Sequence, residues 1–229
     1  MKVGIMQPYF LPYIGYFQLI NAVDKYVIYD DVNFIKGGWI NRNRILLNNE
    51  AFMFNIPMAG ASSFKKINEI NIGKNKDKLL ITIQQAYKKA PFYNKVIPLI
   101  DEIIQYNNEN LALFISNSII RITEYLNINT EIILSSEIVK NNDLKAQEKV
   151  ISICKAIGAS EYYNTIGGKE LYDRVVFANN NIELMFLKPK QIEYIQFKNK
   201  FIPWLSILDV MMFNSQEEVR DMLNKYECL

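Results

Sequence analysis

The sequence predicts an α/β fold, a Rossmann-like three-layer core that carries a helical insertion or subdomain. Three observations predict it. Short apolar runs at Val3–Met6 and Lys25–Tyr29 enclose a helical pattern of Tyr16, Phe17, Leu19, Ile20 and Val23, which is a β-α-β unit with the right-handed crossover such units adopt. The same alternation of strand and helix patterns returns between residues 131 and 186, so strands from both ends of the chain are expected in one sheet. Between them the apolar period changes to 3.6 residues. The α/β core is therefore expected from residues 1–73 and 128–229, with residues 74–127 as the helical subdomain.

Taken in order, the first strand ends in Gln7-Pro-Tyr9-Phe-Leu-Pro-Tyr13-Ile-Gly-Tyr16. Pro8 and Pro12 stiffen this loop, and Gly15 lets backbone approach a neighbour closely. Strand-to-helix junctions of open α/β sheets are where ligands bind, so Gln7, Tyr9, Tyr13 and Tyr16 are candidate binding residues. Asp30 and Asp31 fall at the end of the second strand, on the same rim, either as turn residues or as carboxylates able to take a proton. The runs 39–47 and 51–56 flank Asn48-Asn49-Glu50 and read as a β-hairpin. Strict alternation there puts Trp39, Asn41, Asn43 and Ile45 on one face and Ile40, Arg42 and Arg44 on the other. Two adjacent guanidiniums can grip a phosphate or carboxylate bidentately; on a solvated face they would do nothing. Lys36-Gly37-Gly38 upstream is either an anion-binding loop or a flexible turn.

Residues 57–66 read as a surface loop without the glycine spacing of a P-loop. Helices are expected at 77–88, 92–106 and 109–126, separated by Ala90-Pro91 and Asn107-Asn108. Then follow strand 131–134, helix 144–156, strand 161–164, helix 169–177 and strand 183–186, with Ser135-Ser136-Glu137 and Thr165-Ile-Gly167-Gly168-Lys169 as candidate site loops on the strand ends, the glycines either admitting an anion to the next helix N-terminus or making a turn. A short strand at Tyr194-Ile-Gln196, a turn at 198–200, a helix at 205–213 and a last helix at 216–225 complete the chain. Ser206 and Asp209, spaced i, i+3, share one face of the penultimate helix, as caps or as ligand contacts.

Composition narrows the chemistry. Of 229 residues half are hydrophobic, enough for a sizeable core, and a formal net charge of +2 with both signs scattered offers no field for nucleic acid. The apolar start before Gln7 is too short for a signal peptide, and no apolar run approaches the roughly 18 residues of a membrane span, so a cytoplasmic protein is expected. Two cysteines, Cys154 in a helical pattern and Cys228 at a frayed C-terminus, build no disulfide framework. Histidine is absent. That excludes every Ser-His-Asp and Cys-His arrangement, leaving proton transfer to carboxylate, lysine, tyrosine or substrate.

Gln7-Pro-Tyr-Phe-x-Pro-Tyr-x-Gly-Tyr16, Tyr29-Asp30-Asp31 and Asn41-Arg42-Asn43-Arg44 together resemble the opening of the WbqC-like family of bacterial polysaccharide-locus proteins. Ser135-Ser136, Ile157-Gly-Ala159 with Tyr162-Tyr163, Tyr194-Ile-Gln196 and Phe201-Ile-Pro-Trp-Leu-Ser-Ile-Leu-Asp209 resemble its later blocks, so the likeness covers nearly the whole chain. It implies a role in O-antigen or related surface-polysaccharide synthesis and leaves the reaction open. The most concrete reading is acyl or aminoacyl transfer, forming an amide on a nucleotide-linked amino sugar. Tyr9, Tyr13 and Tyr16 would stack on rings, Arg42 and Arg44 would hold phosphates, and Asp30 or Asp31 would take the amine proton. Lys36, Trp39, Tyr194, Gln196, Ser206 and Asp209 complete the set of candidate substrate contacts, and no metal is expected. The co-substrate stays open between ATP and an activated acyl donor. The alternative is a non-catalytic accessory protein that binds a nucleotide-sugar or glycan. Tyr13-Ile-Gly-Tyr16 also occupies the place of the His-x-Gly-His signature of nucleotidylyltransferases, but tyrosine carries no positive charge near neutral pH, so the fold analogy is kept without the activity. The early and late blocks are expected to meet, with Tyr9, Tyr13 and Asp31 in one cavity beside Tyr194, Gln196 or Asp209.

Overall fold

The computed structural model describes residues 1–198 and 200–229; Asn199, at the centre of the expected 198–200 turn, lies outside the described residues. Strand β1 (Lys2–Met6), helix α1 (Ile14–Asn21) and strand β2 (Lys25–Ile28) form the first β-α-β unit, with β1 and β2 parallel. The hairpin follows as β3 (Arg42–Leu47) and β4 (Glu50–Asn55), antiparallel, with Asn48 and Asn49 supplying positive φ angles of 52° and 67° in the turn. Residues 57–66 are less irregular than expected, since β5 (Met58–Ala59) pairs with β6 (Asn71–Ile72). Helices α2 (Asp77–Tyr87), α3 (Tyr93–Gln105) and α4 (Leu111–Tyr125) come next, and the Asn110 side chain caps α4 by accepting from the Leu113 N–H at 3.1 Å.

The α/β alternation resumes with β7 (Glu131–Leu134), α5 (Ala146–Ala156), β8 (Glu161–Thr165), α6 (Arg174–Ala178) and β9 (Glu183–Pro189). The helix expected at 169–177 is displaced: a 3₁₀ segment, Ile166–Leu171, precedes α6, and the Asp173 side chain caps the latter at 2.8 Å. Helices α7 (Ile207–Phe213) and α8 (Gln216–Met222) lead to β10 (Tyr226–Cys228). Cys228 is thus paired opposite Leu187 instead of fraying. Tyr194–Gln196 joins no strand; its ties are side-chain bonds, among them Ile202 N–H to Gln196 Oε1 at 2.7 Å.

The six-stranded sheet has the order β10-β9-β8-β1-β2-β7, parallel throughout except for β10. Chain order runs one way through β1, β2 and β7 and the other way through β8 and β9. Strand order therefore reverses between β1 and β8, the crevice in which open parallel sheets seat ligands. Alternation along the strands divides the core into two faces. Val3, Ile5 and Val27 pack against Val150, Ile153 and Cys154 of α5 and Phe177 of α6. Tyr26 and Ile28 face the larger cluster built with α1, α4, α7 and α8. Each fully buried aliphatic or aromatic side chain contributes roughly 1.5–3 kcal/mol to holding these layers together. Gln18, fully buried in α1, donates to the carbonyls of Met222 and Lys225 at 2.8 and 3.1 Å, tying α1 to the end of α8.

Candidate functional site

The loop after β1 is clamped from two sides. The Leu11 carbonyl accepts from the Asn43 amide at 2.8 Å and the Ser206 hydroxyl at 2.7 Å, and the Pro12 carbonyl accepts from the Ile207 N–H at 2.7 Å. These bonds hold Leu11 at φ 45°, a left-handed angle that costs a non-glycine residue about 1 kcal/mol or more. A Cβ at Gly15 would lie 2.3 Å from the Tyr13 hydroxyl, so any side chain there would displace the Tyr13 ring. The close neighbour that sequence reasoning left unnamed is thus Tyr13 itself, folded back over the first turn of α1. Tyr16 donates to the Gln7 carbonyl at 3.0 Å, and its ring lies 5.7 Å from Tyr9 and 5.6 Å from Tyr26. Burial pushes the phenols of Tyr9, Tyr13 and Tyr16 above their usual 10, so they act as neutral hydrogen-bond donors.

A cavity of about 280 Å³ opens at the ends of β1 and β8. Met6, Tyr9, Tyr13 and Tyr16 wall one side, and Trp39, Asn43, Arg44, Thr165 and Trp204 face them. Trp39 does not stand on the face opposite the arginines. The Gly37-Gly38 turn and the bent backbone at 39–41 break the alternation, and the Trp39 ring lies 5.8 Å from the Arg42 guanidinium and 5.6 Å from that of Arg44. Arg42 and Arg44 do project together. Arg42 Nε donates to the Gly38 carbonyl at 2.8 Å, whereas among the described residues the Arg44 side chain reaches only the Trp204 carbonyl, at 3.4 Å, and its buried Nε has no acceptor. Among the described residues neither guanidinium has a carboxylate within 4.0 Å.

A second cavity, about 390 Å³, adjoins the first through Tyr13 and Trp204 and reaches Tyr194. The early and late blocks therefore meet, through Tyr13 and Tyr194. Asp209 and Gln196 lie beneath this wall. Fully buried Asp209 accepts from Tyr87 OH at 2.8 Å and from Tyr194 OH and Gln196 Nε2 at 2.7 Å each, while Tyr87 OH in turn accepts the Leu46 N–H. Burial pushes the Asp209 carboxyl above its usual 3.8 although these bonds pull it down. Ser206, also fully buried, caps α7 by accepting from Leu208 N–H at 3.2 Å.

Asp30 and Asp31 line neither cavity. Asp30 accepts from the Ser136 N–H at 2.9 Å and its hydroxyl at 2.6 Å, and from Asn68 at 3.2 Å, joining the ends of β2 and β7. Asp31 lies between two buried lysines, with Lys140 Nζ at 2.9 Å and Lys149 Nζ at 3.1 Å. Burial pushes its carboxyl up, but the Ser135 hydroxyl and the two ammonium groups outweigh that and hold it below 3.8. Gln7 is half-buried and Lys36 exposed; both lie outside the lining of the two cavities.

Sequence reasoning did not single out Trp204, Lys140 or Lys149, and it reached Thr165 only as the start of the candidate site loop 165–169. Trp204 was the most accessible of these, an aromatic residue next to Pro203 outside any periodic segment. It is 63% exposed, with φ 62°, and its ring lies 5.9 Å from that of Tyr13.

Fold and cavity together define a doubly wound α/β protein with an aromatic, arginine-edged cleft at the switch point of its sheet. The chain belongs to the WbqC-like protein family, whose profile matches residues 7–221 and so takes in both the early loop and the late block. It is also similar to the uncharacterized protein Rv1507c of Mycobacterium tuberculosis (strain ATCC 25618 / H37Rv), 30% identical over 227 residues and covering 97% of each chain. No solved structure matches the chain. Among the described residues no helix is long and apolar enough to cross a membrane.

Proposed function

We propose that this protein holds a nucleotide-linked amino sugar in the switch-point cavity and transfers an acyl or aminoacyl group to its amine, forming an amide, in the synthesis of a bacterial surface polysaccharide. The observation that carries the reading is Arg44. Its Nε is buried without an acceptor, it has no carboxylate partner among the described residues, and it edges a cavity walled by the rings of Tyr9, Tyr13, Trp39 and Trp204. The outer nitrogens of the guanidinium, of which Nη2 makes a long 3.4 Å bond to the Trp204 carbonyl, can donate charge-assisted bonds to a phosphate oxygen in the cavity. Flat ring faces around it suit a base or a sugar.

In this reading Arg44 holds the phosphate, and the neutral hydroxyls of Tyr9 and Tyr13 stabilise negative charge as it develops on the acyl carbonyl oxygen. The activated group comes from ATP-driven chemistry or from a ready acyl donor. Asp30 and Asp31 are given a structural task, bracing the ends of β2 and β7 beside the cleft. One observation favours a second reading, a non-catalytic nucleotide-sugar carrier: among the described residues no carboxylate or lysine lines the switch-point cavity. Calorimetric titration with uridine- and thymidine-diphosphate amino sugars, followed by mass spectrometry after incubation with acyl thioesters or with ATP, magnesium and carboxylic acids, separates the two. Saturable binding with amide product supports transfer. Binding without product under every donor moves the assignment to the carrier, and no binding by any nucleotide-sugar sinks both.

A further inference from the structure

The cavity beyond Tyr13 and Trp204 differs in chemistry from the one Arg44 edges. Ile14, Ile192, Phe201, Leu205 and Val210 make its walls, and Tyr194 adds only its ring, since its hydroxyl is bonded to Asp209 at 2.7 Å. Lys190 and Gln191 are exposed polar members of its rim, and among the described residues the Lys190 ammonium has no carboxylate within 4.0 Å. A volume of about 390 Å³ falls within the range of small-molecule sites, about 300–1,000 Å³. The partition between the two cavities is one pair of rings, Tyr13 and Trp204, with centroids 5.9 Å apart. Trp204 holds its place in that partition at φ 62°, a left-handed angle that a residue with a side chain keeps only when its surroundings impose it.

We infer that this second cavity is the compartment for the other substrate, an acyl donor with an aliphatic chain and an anionic carrier. The chain enters among Ile192, Phe201 and Val210, the activated carbonyl comes to rest at the Tyr13–Trp204 partition, and the anionic arm leaves past Lys190. The inference rests on the reading of the Arg44 cavity as the amino-sugar compartment, because that places an amine on the far side of the same ring pair. For a thioester donor the transfer balances without a further reactant: the amine nitrogen bonds to the carbonyl carbon, the carbon–sulfur bond breaks, and the proton lost by nitrogen leaves on sulfur as the thiol.

The test uses octanoyl-coenzyme A, with coenzyme A as the control that lacks the chain. The wild-type protein should bind the octanoyl thioester about a hundredfold more tightly, because each methylene taken from water adds a factor of about four and three to four would be enclosed. Ile192→Glu, which places a carboxylate in the apolar wall, should lower that affinity at least about tenfold. Lys190→Glu, at an exposed position where folding is not at risk, should weaken both compounds several-fold, with the difference shrinking as salt rises. Saturation with a nucleotide-sugar should not displace octanoyl-coenzyme A. Equal affinity for the two coenzyme A compounds, indifference to both substitutions, or mutual displacement of thioester and nucleotide-sugar would each overturn the two-compartment assignment. Loss of nucleotide-sugar binding alone, with chain-dependent thioester binding intact, would instead sink the amino-sugar reading and leave the apolar compartment standing.

Discussion

Arg44→Met is the perturbation whose consequences the structure defines most closely. Methionine keeps the stem length and removes the charge. For the free protein the loss is small: one cation–π contact with Trp39, worth about 0.5–1 kcal/mol, and a long 3.4 Å bond to the Trp204 carbonyl, set against relief of an unpaired buried Nε. Stability should therefore change by no more than about 1 kcal/mol, a shift of roughly 2–4 °C in Tm for a chain of this size. For a phosphate-bearing ligand the loss is a charged hydrogen bond, about 1.5–3 kcal/mol, which lowers affinity by about one to two orders of magnitude. Arg42→Met should cost less affinity, because Arg42 Nε already donates to Gly38 and its side chain does not line the cavity. Calorimetric titration with a nucleotide-sugar at two salt concentrations, beside thermal melts, reads all three quantities. Unchanged affinity and salt dependence in Arg44→Met with the fold intact would refute the phosphate assignment, and so would a larger effect from Arg42 than from Arg44.

Asp31→Asn leaves two buried lysines short of their counter-charge and should destabilise by about 3–5 kcal/mol in a urea melt. Because the folded carboxyl titrates below 3.8, its contribution is full above that pH and is lost as pH falls through the folded value, so the variant should also lose acid sensitivity in that window. Asp209 acts with the opposite sign: its folded carboxyl titrates above 3.8, so its ionisation lowers stability as pH rises from there toward the folded value. Asp209→Ala strands three donors, from Tyr87, Tyr194 and Gln196, each worth about 1–3 kcal/mol, and should lower the urea midpoint far more than Asp209→Asn; equal midpoints would deny the network its role. Trp204→Gly removes a left-handed penalty of about 1–2 kcal/mol and a ring contact of about 0.5–1.5 kcal/mol. Melts should barely move while nucleotide-sugar affinity falls about two- to tenfold, and an unchanged affinity would remove Trp204 from the site.

Much of the fold was legible because its strands are short apolar runs with clear ends. Val3–Met6, Lys25–Tyr29, Glu131–Leu134 and the hairpin need only local pattern, and the parallel sheet follows from their alternation with helices. What escaped depends on distant partners. β10 is only 3 residues, Tyr226-Glu227-Cys228, too short for its alternation to mark a strand; it is one because β9 offers an edge. Lys149 reads as a surface residue of an amphipathic helix, yet it is 5% exposed because Asp31, more than a hundred positions earlier, receives it. In the candidate site the tyrosines and Arg44 were legible as residue types too polar or too aromatic for a connecting loop. The side of the hairpin on which Trp39 lies was not, because the glycine turn resets its direction. The distance of Asp30 and Asp31 from the aromatic cavity was also hidden, since a shared rim says nothing of which strand ends are neighbours.

The bond from the Ser206 hydroxyl to the Leu11 carbonyl closes a span of 195 residues, and the Ile207-to-Pro12 bond closes beside it. A ribosome adding about 5–20 residues per second needs roughly ten to forty seconds to cross that span. Until then the first loop has its early ties, from Asn43 and Tyr16, but lacks the two bonds from the start of α7. The final shape of the early loop is consequently among the last features this chain acquires, and a nascent or truncated product that stops short of α7 carries the loop's sequence without its full bracing.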